Sequence, residues 1–283
     1  MLSYRHGYHA GNHADVFKHI VLSLLVRSLL TKEKPFFYLD THAGAGRYHL
    51  ESTLPSKNRE FESGIASLMN HGDAPPELSD YFAAIAVLNH GGGFLDYPGS
   101  PCIVRSMLRS GDRMSLCELH PRDLEALQWV FSGERRVCVS QMDGYQAIRA
   151  QLPPLERRGL VHIDPAYELK DERKRLLEAL REGHRRWATG MYAVWYPIQD
   201  RYVADDFLKR VQRSRIPRIL MSEFSVLQQT EELRMIGSGM LVINPPWKLE
   251  EQLRGVLPWL WERLAVKGQG GYRVKWLVEE ANR

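Results

Sequence analysis

Eight short apolar runs recur along this chain, and helical segments separate most of them. They are Phe36 to Leu39, Met114 to Leu119, Val137 to Ser140, Gly159 to Ile163, Met191 to Tyr196, Arg218 to Glu223, Met240 to Ile243 and Tyr272 to Leu277. Strand-like runs that alternate with helices predict an α/β protein with a mostly parallel, doubly wound sheet. In such a sheet, ligands bind beyond the carboxyl ends of the strands. The residues that follow each run are therefore the first place to look for chemistry.

Before the first run, Val16, Ile20, Val21, Leu24, Leu25 and Leu29 fall at helical spacing, which predicts a helix over 13–32 that Pro35 ends. Residues 47–98 break the alternation. Helical stretches are expected near 61–70 and 77–89, so a small helical insertion is read over 50–95 of a single domain spanning 1–283. No apolar run approaches the ~18 residues of a membrane span, and the amino terminus lacks a secretory apolar core. Cys102, Cys117 and Cys138 form no CxxC pair, which suits a reducing cytoplasm. The net charge of +4 is weakly basic, but clusters such as Lys170 to Arg175 and Lys209 to Arg218 suit a phosphate backbone.

The fourth run ends in Asp164-Pro165-Ala166-Tyr167. A carboxylate and the Pro165 carbonyl can accept both hydrogens of an exocyclic amine, and the Tyr167 ring can stack on the base that carries it. The first run ends in Asp40-Thr-His-Ala-Gly-Ala-Gly46, without the third glycine of the dinucleotide fingerprint. That departure favours a loop around the amino-acid end of S-adenosylmethionine over a pyrophosphate cradle. Glu118 follows the second run, where an acid accepts ribose hydroxyls. Asp143-Gly144 follows the third, placed to meet an adenine amine. Each signal alone also fits an ordinary turn or surface carboxylate; their order on successive strands joins them.

That order resembles the class I, S-adenosylmethionine-dependent methyltransferases with a Rossmann-like sheet, and the fourth motif resembles the amino-methyltransferases of adenine N6 or cytosine N4. Leu2 to His6, His9 to Asp15, Lys18-His19, Asp40 to Tyr48, Tyr97 to Pro101, Glu118 to Pro121 and Val242 to Glu250 are similar to the RlmJ family, nearly end to end. The resemblance implies methyl transfer to N6 of one adenine in 23S ribosomal RNA, by a cytoplasmic monomer without an obligate protein partner or a membrane. It implies His19, His42, Ser100, Glu118, Asp143, Gly144 and Asp164 as cofactor-binding residues and Asp164 as the acceptor carboxylate, with Pro165 and Tyr167 beside it. It also implies RNA contact at Tyr4, with His6 and Lys18 in a substrate-covering segment over 1–32. Ala166 departs from the family pattern, which has a second proline there, and predicts a looser loop.

Asn244-Pro-Pro-Trp247 repeats the four-residue pattern, but it lies about 80 residues beyond Asp164 and out of strand order. It is expected to be a rigid turn opening a helix from Trp247 to Leu264. His6, His9, His13, His19 and His42 invite a metal reading, but no cysteine joins them and no metal is expected. Three alternatives stand beside the main one: a dehydrogenase, a non-catalytic RNA-binding module, and a methyltransferase of another nucleic acid.

Overall fold

The structure is a computed structural model that describes residues 6–51, 59–69, 71–90, 95–230 and 234–279. Its first helix, α1 (His13–Leu30), begins where Asn12 accepts the Ala14 and Asp15 backbone N–H groups with its side chain, satisfying donors that a helix start leaves unpaired. Apolar residues surround almost the whole of α1, as expected of a helix buried on most sides.

Eight strands form the main sheet: β1 (Phe37–Asp40), β4 (Arg113–Cys117), β5 (Val137–Ser140), β6 (Gly159–Ile163), β7 (Met191–Ile198), β8 (Ile219–Ser225), β9 (Gly237–Ile243) and β10 (Gly271–Val278). Their order is β10-β8-β9-β7-β6-β1-β4-β5. β1 pairs in parallel with β4 on one side and β6 on the other, so the strand order reverses there. β9 runs antiparallel to both β7 and β8, and β10 antiparallel to β8.

Successive side chains of β1 serve opposite faces. Tyr38 joins the core formed by α1, α3 (Ser100–Met107) and α8 (Leu249–Leu264), while Phe37 and Leu39 join the core formed by α5 (Gly144–Gln151), α6 (Glu172–Arg186) and α7 (Arg201–Gln212). The result is a three-layer sandwich, and α4 (Pro121–Val130) completes the crossover from β4 to β5.

Between β1 and α3, the three-residue strands β2 (Arg47–His49) and β3 (Asp96–Pro98) pair antiparallel, and the segment joining them carries α2 (Ser79–Leu88). The helix expected over 61–70 is not formed. Residues 61–64 make turns and only Ile65–Leu68 make a short 3₁₀ turn. Gly64 explains this: its backbone is non-helical (φ −104°, ψ −116°), and a Cβ there would lie 2.1 Å from the Gly11 carbonyl oxygen. This segment is shaped by its contact with the start of α1. Among the described residues, no helix is long and apolar enough to cross a membrane.

The strand order also separates the two copies of the four-residue pattern. Asp164 follows β6, whereas Asn244 follows the antiparallel β9 and emerges at the opposite edge of the sheet, beside the start of β7. There the Asn244 amide donates to the Ala188 and Gly190 carbonyls, both at 2.8 Å. It pins a turn, and α8 follows from Leu249.

Candidate active site

The carboxyl ends of β1, β4, β5 and β6 bring Asp40, Glu118, Asp143 and Asp164 to one edge, around a cavity of about 310 Å³. The volume is within the range of small-molecule sites. The described residues His6, Lys18, His19, His42, Ser100, Glu118, Asp143, Gly144, Asp164, Pro165 and Tyr167 all line it. The expected site residues thus converge, with the exception of Tyr4, which lies outside the described residues.

The glycine loop is built for close approach. Gly44 has φ +60°, and a Cβ there would sit 2.3 Å from the Tyr48 hydroxyl. Its amide donors are spent within the protein. His42 N–H donates to Asp40 (3.3 Å), Ala43 N–H to the Cys117 carbonyl (2.9 Å), Gly44 N–H to Glu118 (2.8 Å) and Ala45 N–H to the Tyr48 hydroxyl (3.3 Å). A phosphate cradle needs such donors open toward its ligand. Among the described residues, seven carboxylates line the cavity against Lys18 and Arg175. That balance suits a ligand bearing cationic groups and disfavours a dinucleotide.

Each carboxylate is held in place. Glu118 accepts N–H groups from Gly44 and, at 2.7 Å, from His120, yet burial raises its pKa above the ordinary value. Asp40 is wholly buried and accepts the Tyr38 and Ser100 hydroxyls, each at 2.7 Å, with the His162 ring 3.6 Å away. Burial would raise its pKa, but the His162 ring and the two hydroxyls outweigh it and hold the group down to about 2. Asp143 caps α5, accepting from Tyr145 N–H (2.8 Å) and Gln146 N–H (3.3 Å), and its other oxygen accepts from Arg175 (2.7 Å). Gly144 leaves no room for a side chain: a Cβ would lie 2.1 Å from the Thr41 carbonyl oxygen.

On the other side of the cavity, α1 presents Lys18. It was expected near the RNA, but its ammonium is buried, 2.5 Å from Asp164 and 2.9 Å from Asp15. Burial alone would lower its pKa; the two carboxylates outweigh that and hold it above the usual ammonium range. Asp15 also takes the His6 ring at 2.9 Å, and His6 and Lys18 keep its carboxyl well below the usual range despite burial. His19 is buried against the Tyr97 hydroxyl (2.8 Å), and burial holds it well below the ordinary histidine value. His42 contacts the Thr41 hydroxyl (2.8 Å) and is likewise lowered by burial. With Nδ1 of each ring engaged by a hydroxyl, each neutral imidazole has Nε2 left to offer a ligand, as donor or acceptor according to its tautomer.

Tyr167 adopts φ +55°, and its hydroxyl donates to the Trp195 carbonyl (2.7 Å). Arg173 lies over its ring, 5.2 Å from Cζ to the centroid, and Trp195 meets it edge-on. Ala166 is exposed. Sequence reasoning missed Asp15, Trp195, Tyr145, Glu172 and Arg175. Only Asp15 carried a local signal, three residues before Lys18 on one helix face. The others reach the cavity through strand order and helix packing. Among the described residues, no group of histidine, cysteine and carboxylate side chains could hold a metal ion.

A mostly parallel sheet with one antiparallel strand inserted between its last two parallel strands, and with carboxylates at the ends of its first four, defines a class I methyltransferase fold. The comparisons narrow it further. The sequence profile described as "Ribosomal RNA large subunit methyltransferase D, RlmJ" matches residues 33–278, and the chain belongs to this RlmJ family. It is 46% identical over 280 residues to the Ribosomal RNA large subunit methyltransferase J of Escherichia coli, covering 99% of this chain and 100% of that protein. It is 47% identical over 281 residues to the protein of the same name from Haemophilus influenzae, with the same coverage. A crystal structure of a Legionella pneumophila protein superposes with a TM-score of 0.88 at 34% identity, covering 95% of this chain and 98% of that one.

Proposed function

We propose that this chain transfers the methyl group of S-adenosylmethionine to the exocyclic N6 amine of an adenine in 23S ribosomal RNA. The observation that carries this reading is the carboxylate-lined cavity at the strand-order reversal, with Asp164-Pro165 on its rim. The two relatives, both ribosomal RNA large subunit methyltransferases by name, support the choice of RNA.

The residues present fit this cofactor. Glu118 would take the ribose hydroxyls, and Asp143 with Gly144 would meet the adenine. Asp40, through Ser100, would join His19 and His42 at the amino-acid end. When bound, the cofactor supplies a methyl group on a positively charged sulfur. The chain's own residues do the rest. Lys18 holds one oxygen of Asp164, and among the described residues the other has no hydrogen-bond partner. That oxygen and the Pro165 carbonyl would accept the two hydrogens of the adenine amine. The nitrogen lone pair, otherwise delocalised into the ring, would then turn toward the methyl group. Lys18, 2.5 Å from Asp164, fixes its rotamer, and Tyr167 and Trp195 offer rings to the base. Orientation of this kind contributes mainly through proximity.

We read the chain as a cytoplasmic monomer with RNA as its partner. Of residues 1–32, the stretch ahead of α1, with Tyr4 and His6, would cover the target base, while Lys18 reaches the site from α1 through Asp164, and 50–95 would form a subdomain beside it. The test is methyl transfer from labelled cofactor to deproteinised 23S RNA and, in parallel, to assembled large subunits. Incorporation that Asp164→Ala abolishes is expected; undiminished incorporation by that variant would refute the assignment.

A further inference from the structure

The segment between β6 and α6 has no helix or strand from Asp164 to Asp171, and Ala166, Glu168, Leu169 and Lys170 are exposed. Tyr167 anchors its near half through the Trp195 carbonyl. Its far half is anchored on the other side of the cavity. The Tyr145 hydroxyl donates to Glu172 at 2.6 Å, and Arg175, one turn further along α6, donates to Asp143 at 2.7 Å. The Arg175 guanidinium also lies 5.1 Å over the Tyr145 ring.

We infer that Arg175 is a positioning residue that couples the cofactor's adenine seat to the acceptor loop. The inference rests on the cofactor reading above. One oxygen of Asp143 is committed to the cap of α5, so the adenine amine must be read by the other, and Arg175 holds that one. An oxygen with two lone pairs can accept from the guanidinium and from an amine together. Arg175 therefore sets the direction of the remaining lone pair and at the same time fixes the first turn of α6, which follows directly on the loop carrying Asp164 and Tyr167. A planar guanidinium can donate a directed hydrogen bond while stacking on a ring; an ammonium cannot reproduce both. Adenine in its seat would thus order the acceptor loop before RNA arrives.

The experiment pairs calorimetry of S-adenosylhomocysteine binding with hydrogen–deuterium exchange of residues 164–171, with and without saturating ligand. In the wild-type chain, the ligand is expected to slow exchange in this loop. Arg175→Ala and Arg175→Lys are expected to raise the dissociation constant about three- to tenfold, as loss of a partly exposed charge-assisted bond should. They are also expected to abolish the loop's response at saturation. The lysine variant keeps the charge, so the result does not depend on the alanine variant folding. Either variant binding within twofold of wild type with its loop response intact would overturn the coupling alone. No binding by the wild-type chain would overturn the cofactor reading with it.

Discussion

Replacing Lys18 with Met tests how the acceptor carboxylate is held. The Lys18 ammonium sits 2.5 Å from Asp164 and 2.9 Å from Asp15, on a side chain only 5% exposed. Methionine fills a similar volume but removes the cation, leaving two carboxylates facing one another; Asp15 keeps the His6 ring (2.9 Å) and the Gly11 N–H (3.0 Å), both on one oxygen. Removing one member of a buried ion pair costs ~3–5 kcal/mol, because the charge left behind keeps its desolvation penalty. Lys18→Met should lower the unfolding free energy by that amount in urea at pH 7.5. Asp15→Asn in the same background removes one of the stranded charges. The double variant should therefore be more stable than the sum of the single effects by at least ~1 kcal/mol. Activity should show the same physics. Without the ammonium at 2.5 Å the Asp164 carboxylate loses the contact that fixes its rotamer, so kcat should fall about tenfold or more. A loss below ~1 kcal/mol, additive with Asp15→Asn and with kcat unchanged, would refute this account.

Ala166→Pro should stiffen the acceptor loop: Ala166 is exposed and its N–H makes no hydrogen bond among the described residues. A gain of ~0.4–1 kcal/mol in stability with slower exchange over 164–171 is expected, and an unchanged rate and loop mobility would contradict it. Asn244→Ala should cost ~1–3 kcal/mol by leaving the Ala188 and Gly190 carbonyls without their donor, yet leave cofactor binding unchanged; a loss of binding would restore Asn244 as a site candidate. His9 is held above its ordinary pKa of 6.5, with its hydrogen bond to Glu60 outweighing burial. A raised histidine contributes its stability fully below the unfolded value and loses it as pH rises through the folded value. The protection factors over 59–69, with intrinsic exchange divided out, should thus fall from pH 6 to pH 8.5 in the wild-type chain; Glu60→Gln should flatten that dependence, and an unchanged dependence would contradict it.

The sheet was legible because its strands are apolar runs bounded by turns. β5 and β6 have the bounds read from sequence, and the other predicted strands shift by a few residues at their ends. The run at Met114 was read through Leu119, but the strand stops at Cys117: Glu118 N–H makes a last bond to the Ser140 carbonyl (3.2 Å), and its side chain turns to accept the Gly44 and His120 N–H groups. The β2–β3 pair was missed, since three-residue strands joined across about fifty residues carry no local period. The helix expected near 61–70 failed on a long-range contact, the packing of Gly64 against Gly11. At the site, the ends of successive strands were readable from motif order. What closes the site was not: Lys18 on Asp164, Arg175 on Asp143 and Tyr145 on Glu172 bring together residues 146, 32 and 27 positions apart.

The most direct test of the central claim is the chemical identity of the product. Unmodified 23S RNA, incubated with the purified chain and S-adenosylmethionine, is digested to nucleosides and resolved by mass spectrometry. The account predicts N6-methyladenosine at about one per RNA molecule, absent when Asp164→Ala replaces the wild-type chain. Methylation on another atom or base, or no methylation with the cofactor bound, would contradict it.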